Sequence, residues 1–148
     1  MMARLFDPAS KGTARLAALH AACFADRWTA RAIADLLAAP NCFAFSNEDG
    51  FVMARIAAGE AEILTLAVNP PARRQGLGRV LVASAAAHAH ALGASEMFLE
   101  VGKDNAAARA LYDRLGFRAV ATRKGYYQGH DALVLKAALP LPPSGKFA

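Results

Sequence analysis

With 148 residues, 55% of them hydrophobic and 20% charged, the chain has the size of one domain able to bury a proper core. Much of the apolar share is alanine, and charged residues or proline interrupt each apolar run before the roughly 20 residues a membrane span needs. The net charge of +5 admits an anionic partner, but the arginines gather around residues 73–79 and the helix starting at Asn105, which favours a local anionic ligand over direct nucleic-acid contact.

The amino terminus turns polar at Arg4 and Asp7 and lacks a signal-peptide core, so a cytoplasmic protein without a membrane anchor is expected. A short strand at Ala3–Phe6 precedes a helix over Thr13–Phe24, where Leu16, Leu19, His20 and Cys23 recur at helical spacing. Thr29 is a suitable N-cap for a second helix running through Leu37 and ending before Pro40. The loop between these helices holds Trp28, the only tryptophan.

Cys42–Ser46 and Phe51–Ala57 read as a hairpin about the turn Asn47-Glu48-Asp49-Gly50, whose residues tolerate positive φ. Ala61–Val68 is a third strand, closed by Asn69-Pro70-Pro71. A helix follows from Leu77 or Gly78 to Leu92, stopping near Gly93. Met97–Val101 is a short buried strand, Asn105–Leu115 a helix closed by Gly116, and Phe117–Thr122 and Asp131–Leu139 the last two strands. A single domain over residues 1–139 is expected, with the proline-rich 140–148 as a flexible tail. Cys23 and Cys42 read as reduced thiols in or near the core, and neither they nor the four histidines have metal-ligand spacing.

The most informative stretch is Val68-Asn69-Pro70-Pro71-Ala72-Arg73-Arg74-Gln75-Gly76-Leu77-Gly78-Arg79. An apolar strand there enters a basic, glycine-containing turn that opens a helix. Unpaired N–H groups and the helix dipole make such a start an anion-binding device, and Arg73, Arg74 and Arg79 add full charges. A nucleotide-triphosphate loop would continue with lysine and a hydroxyl residue after Gly78, where Arg79-Val80 stand instead.

Arg73-x-x-Gly76-x-Gly78 resembles the phosphate loop of the GNAT acyltransferases, and Leu99-Glu100-Val101 followed by the Asn105–Phe117 segment resembles their second signature. Asn105 and Tyr112 lie seven residues apart there, about two helical turns, and so face one way. With Arg123-Lys124-Gly125-Tyr126-Tyr127 and Trp28, the order is similar to the ribosomal-protein alanine N-acetyltransferases within that superfamily. Gly102 and Gly125 stand where those enzymes usually carry bulkier or polar residues, and His130-Asp131 replaces an acidic pair.

The resemblance implies an α/β GNAT fold: a mixed, mostly antiparallel twisted sheet flanked by about four helices and splayed near the third long strand. It implies acetyl-CoA as cosubstrate, with no metal, and acetylation of a protein amino terminus, that of a small-subunit ribosomal protein beginning with alanine. Backbone of Leu66, Ala67 and Val68 would meet the pantetheine arm, the Val68 N–H serving as oxyanion donor. Arg73, Arg74, Gln75, Gly76, Leu77, Gly78 and Arg79 would hold the pyrophosphate, and Asn105 and Tyr112 would lie beside coenzyme A. Glu100 would be the base, its pKa raised by burial in an apolar strand, and Tyr112 the acid at sulfur. Trp28, Tyr126 and Tyr127 would border a peptide groove.

Plainer readings stand beside these. Glu100 could pair structurally with an arginine, Asn105 could be only an N-cap, Tyr112 and Trp28 could be core residues, and Tyr126-Tyr127 ordinary strand residues. Function could also be acetylation of a small amine or lysine side chain, or coenzyme A binding without turnover. The expected assembly is a monomer or weak dimer, with no nucleic acid or membrane as partner.

Overall fold

Alternating and helical apolar patterns condense into seven strands and four helices in the computed structural model, which describes residues 1–143 apart from Arg27 and Gln128, and Tyr126 and Tyr127 by backbone alone. The strands are β1 (Arg4–Leu5), β2 (Cys42–Asn47), β3 (Gly50–Ala57), β4 (Glu60–Val68), β5 (Glu96–Gly102), β6 (Arg118–Tyr127) and β7 (His130–Ala138). The helices are α1 (Thr13–Cys23), α2 (Ala30–Leu37), α3 (Leu77–Ala91) and α4 (Ala106–Arg114). Sheet order is β1-β2-β3-β4-β5-β7-β6. Among the described residues no helix is long and apolar enough to cross a membrane.

Two compact units divide the chain, one comprising Met1–Arg55 and Leu64–Ala85, the other Ile56–Ile63 and the chain from Ala86 on. In the first, β2 and β3 form the expected hairpin, Asn47 opposite Gly50 and Cys42 opposite Arg55. Leu16, Leu19, Ile33, Leu37, Ala44, Phe51, Met53 and Ala67 bury together as its core. Thr29 caps α2 as the sequence indicates, its Oγ1 accepting the Ala32 N–H at 3.0 Å, which satisfies one of the donors a helix start leaves open.

In the second unit, β4 and β5 pair in parallel with Glu60, Ala61 and Glu62 opposite Glu96, Met97 and Phe98. β5 pairs antiparallel with β7 along its whole length, and β7 with β6. Met97, Leu99 and Val101 are buried, alternating with the half-buried Glu96, Phe98, Glu100 and Gly102, the pattern of a strand with two unlike faces.

Most element ends fall within a residue or two of the sequence reading, and the large difference is in β6. β6 does not begin at Phe117 or end at Thr122 but runs over Arg118–Tyr127. Arg123-Lys124-Gly125 carries few strand formers, so local propensity gives no reason to extend the strand past Thr122. Arg123 still pairs with Ala132, the register then shifts, and pairing resumes with Tyr127 opposite His130; an earlier shift lies between Ala119 and Ala121. Gly125 takes φ +66°, and its N–H donates to Asp131 Oδ1 at 3.1 Å. The irregularity is a bulge supported from the partner strand.

Candidate active site

β4 positions the first group of residues. Ala67 is buried, while Leu66 and Val68 are half-buried on the strand's other face. The Val68 carbonyl accepts two hydrogen bonds, from the Cys23 thiol at 3.2 Å and from Arg73 Nε at 3.0 Å. The next N–H, that of Asn69, donates to the Asp49 carbonyl at 2.7 Å. A single 3-10 turn over Pro70–Ala72 then brings Arg73 back toward Val68. Arg73 thus fastens the loop to the strand through its side chain, a use that counting charges did not reveal.

The loop backbone turns through two left-handed residues, Arg74 at φ +65° and Gly76 at φ +87°. A side chain pays for that conformation with roughly 1–2 kcal/mol, so Arg74 holds it against its own preference. Val80 N–H donates to Gly76 O at 3.1 Å, closing the first turn of α3. The N–H groups of Leu77, Gly78 and Arg79 have no acceptor within the helix. Leu77 is buried and anchors the helix start, whereas Arg73, Arg74 and Gln75 are exposed and Gly76, Gly78 and Arg79 half-buried. The basic turn expected from the spacing thus leads through two left-handed residues directly into the first turn of α3.

Trp28, also in the first unit, is half-buried. Its ring stacks on His20 with centroids 4.9 Å apart and planes 17° apart, and its backbone N–H donates to His20 Nδ1 at 3.4 Å. His20 also meets the ring of Phe24, with centroids 4.5 Å apart and planes tilted by 31°. His20 is only 3% exposed, and burial lowers its pKa below the ordinary 6.5, with Asp26 opposing that shift. The helical spacing placed His20 on an inward face without indicating its ring partners.

The second unit carries Glu100, Asn105 and Tyr112. Glu100 lies opposite Val134 in the β5–β7 ladder, and its Oε1 is 3.2 Å from Arg123 Nε of β6. The expected apolar setting is therefore corrected: the carboxylate has a guanidinium partner on a strand that sequence proximity did not connect to it. Asn105 caps α4, Oδ1 accepting the Ala108 N–H at 3.2 Å. The loop before it is secured by Asn105 N–H to Gly102 O at 3.0 Å, Lys103 N–H to Asp131 O at 2.9 Å and Arg109 Nη1 to Lys103 O at 2.9 Å.

Tyr112 is 6% exposed, two turns after the cap, and its ring meets Phe117 edge-on at 5.5 Å. Burial raises its phenol pKa well above the ordinary value, so the hydroxyl keeps its proton through the neutral range. Tyr126 and Tyr127 belong to β6 by backbone, and the groove role expected for their side chains lies outside the described residues. A groove of about 510 Å³ lies beside α4, lined among others by Arg109, Asp113, Phe117 and Leu133. It includes none of the residues singled out from the sequence.

Residues 13–117 match the sequence family described as acetyltransferase (GNAT) family. Ribosomal protein bS18-alanine N-acetyltransferase of Salmonella typhimurium is 39% identical over 95 residues, covering 62% of this chain and 63% of that protein. The Escherichia coli protein of the same name is 37% identical with the same coverage. The chain thus spans a little under two thirds of the length of these curated relatives. The crystal structure of the Escherichia coli ribosomal-protein-S18-alanine N-acetyltransferase has a TM-score of 0.81 at 25% identity, with 96% of this chain and 97% of that one covered. Arabidopsis thaliana NAA60 in complex with acetyl-CoA has the same fold, with a TM-score of 0.78 at 21% identity and coverage of 93% and 97%.

Proposed function

The chain belongs to the GNAT acetyltransferase family, and from that premise we propose that it transfers the acetyl group of acetyl-CoA to the amino-terminal alanine of ribosomal protein bS18. The observation that carries the acceptor is the identity to enzymes named for that reaction. The fit to acetyl-CoA rests on this chain's own geometry: a left-handed Gly76 before three N–H groups to which α3 offers no acceptor, with arginines around them.

In this reading residues 73–79 bind the pyrophosphate, chiefly through backbone N–H groups, and Arg73 also keeps the loop against Val68. Leu66, Ala67 and Val68 align the pantetheine arm by strand-like hydrogen bonds, and the Val68 N–H donates to the thioester oxygen as negative charge gathers there. Asn105 holds the same cosubstrate while capping α4. Trp28, Tyr126 and Tyr127 border the acceptor peptide.

Glu100 removes one proton from the attacking amine as the C–N bond forms and the C–S bond breaks, and the Tyr112 hydroxyl donates to the departing sulfur. An α-amino group costs about 1 kcal/mol to deprotonate at pH 7, and a lysine amine roughly 4–5 kcal/mol. The α-amine thus asks less of Glu100 and suits it better as acceptor. The setting is the cytoplasm, the protein a monomer or weak dimer, with no membrane and no direct nucleic-acid contact.

The test is coenzyme A release with free amino-terminal Ala, Ser and Met peptides, a blocked peptide bearing an internal lysine, and small amines. Preference for amino-terminal alanine is expected. Turnover confined to lysine or small amines would replace the acceptor, and acetyl-CoA binding without turnover would replace catalysis by a binding role.

A further inference from the structure

The rings of Phe24, His20 and Trp28 connect the end of α1 to the loop before α2, and of the three only Trp28 has a role above. Trp28 offers His20 both a ring face at 4.9 Å and a backbone N–H at 3.4 Å. A ring nitrogen that accepts carries no proton, so the neutral His20 has its hydrogen on Nε2. We infer that His20 is the positioning residue of the α1–α2 loop, fastening Trp28 while neutral and thereby setting how tightly the acceptor peptide is held. The peptide half of this inference rests on the proposed role of Trp28.

Protonation would withdraw the Nδ1 acceptor and place a cation at a site with 3% exposure. Among the described residues Asp26 is the charged group acting on the ring. Arg31 and Asp35 of α2 pair with each other at exposed positions, and the Cys23 thiol one turn along α1 donates to Val68. Nothing in this set replaces the lost acceptor. His20 touches no reacting atom in the proposed mechanism, so its effect belongs in peptide KM and not in kcat.

Trp28 is the sole tryptophan, so its emission reports the stack directly. Titrating the full chain from pH 7.5 to 5 is expected to give a step in emission with its midpoint below 6.5, absent in His20→Phe, which keeps a ring but cannot titrate. Because the acceptor amine protonates equally in both proteins, the readout is the ratio of wild-type to His20→Phe peptide KM at each pH, which should rise through the same midpoint. In His20→Asn, which keeps an acceptor but loses the ring face, peptide KM should rise about two- to tenfold at neutral pH, the worth of one ring pair. At each pH, kcat should be the same in the variants as in the wild type.

An emission step that persists in His20→Phe, or its absence from the wild type, overturns the fastening. A step with that KM ratio unmoved overturns the link to binding. The wild-type titration needs no variant to fold. Should the protein prove inactive on amino-terminal peptides, the acceptor reading fails while the emission step still decides whether His20 holds Trp28.

Discussion

Replacing Tyr112 by Phe removes one oxygen and leaves the ring in place, which separates chemistry from packing. Tyr112 is buried with its ring against Phe117, and its backbone carbonyl, unaffected by the change, accepts from Leu115 and Phe117 N–H at 3.1 and 3.0 Å. Stability at neutral pH should therefore change by no more than about 1 kcal/mol. Turnover should fall by about 10²–10³-fold, the usual effect of losing one donor to charge developing in a transition state, or roughly 3–4 kcal/mol.

Burial raises the phenol pKa, so its folded-state value lies above its unfolded one. The associated stability is present in full below pH 10 and lost as pH rises beyond it. The Phe variant lacks that alkaline loss and keeps the shape of the neutral pH–rate profile at reduced height. Single-turnover coenzyme A release with an alanine peptide, acetyl-CoA affinity by calorimetry and urea unfolding measure the three quantities. Retention of more than about a tenth of the wild-type rate, with acetyl-CoA affinity unchanged, would refute the donor role.

At Gly50 an added Cβ would stand 2.8 Å from the Ala67 carbonyl oxygen and 3.1 and 3.2 Å from Leu81 and Leu77. Because a strand carbonyl cannot turn aside, Gly50→Ala should lower the unfolding free energy by about 1–3 kcal/mol and weaken acetyl-CoA binding through Leu77; a wild-type urea midpoint would contradict this. Glu100→Gln should reduce kcat by about 10²–10⁴-fold with acetyl-CoA affinity kept. Equal, small effects of Glu100→Gln and Arg123→Gln on rate would instead identify the pair as structural.

Local signals carried much of the fold. Thr29 and Asn105 read as caps because a helix start needs an acceptor three residues back, and both serve so. The β2–β3 turn and the glycine ending α4 were equally legible, being set by conformations available within a few residues. What escaped the sequence depends on distant partners. β6 continues past Thr122 because β7 and Asp131 hold it. Glu100 meets an arginine 23 positions away, and His20 finds its ring partner beyond the end of its own helix. The Arg73 contact with Val68 follows from the path of the Pro70–Ala72 turn, which a basic motif alone does not specify.

The strand order leaves β1 and β6 at the two borders of the sheet, where free backbone groups invite a foreign strand. At β1 the opening is two residues long, too short to template a ladder. β6 is long and exposed from Arg118 to Gly125, yet it carries Arg118, Arg123 and Lys124 and two irregularities in register. Any chain pairing there would have to match the breaks and neutralise the charges. A protein proposed to receive extended, newly exposed chain ends thus has borders that resist recruiting them as extra strands.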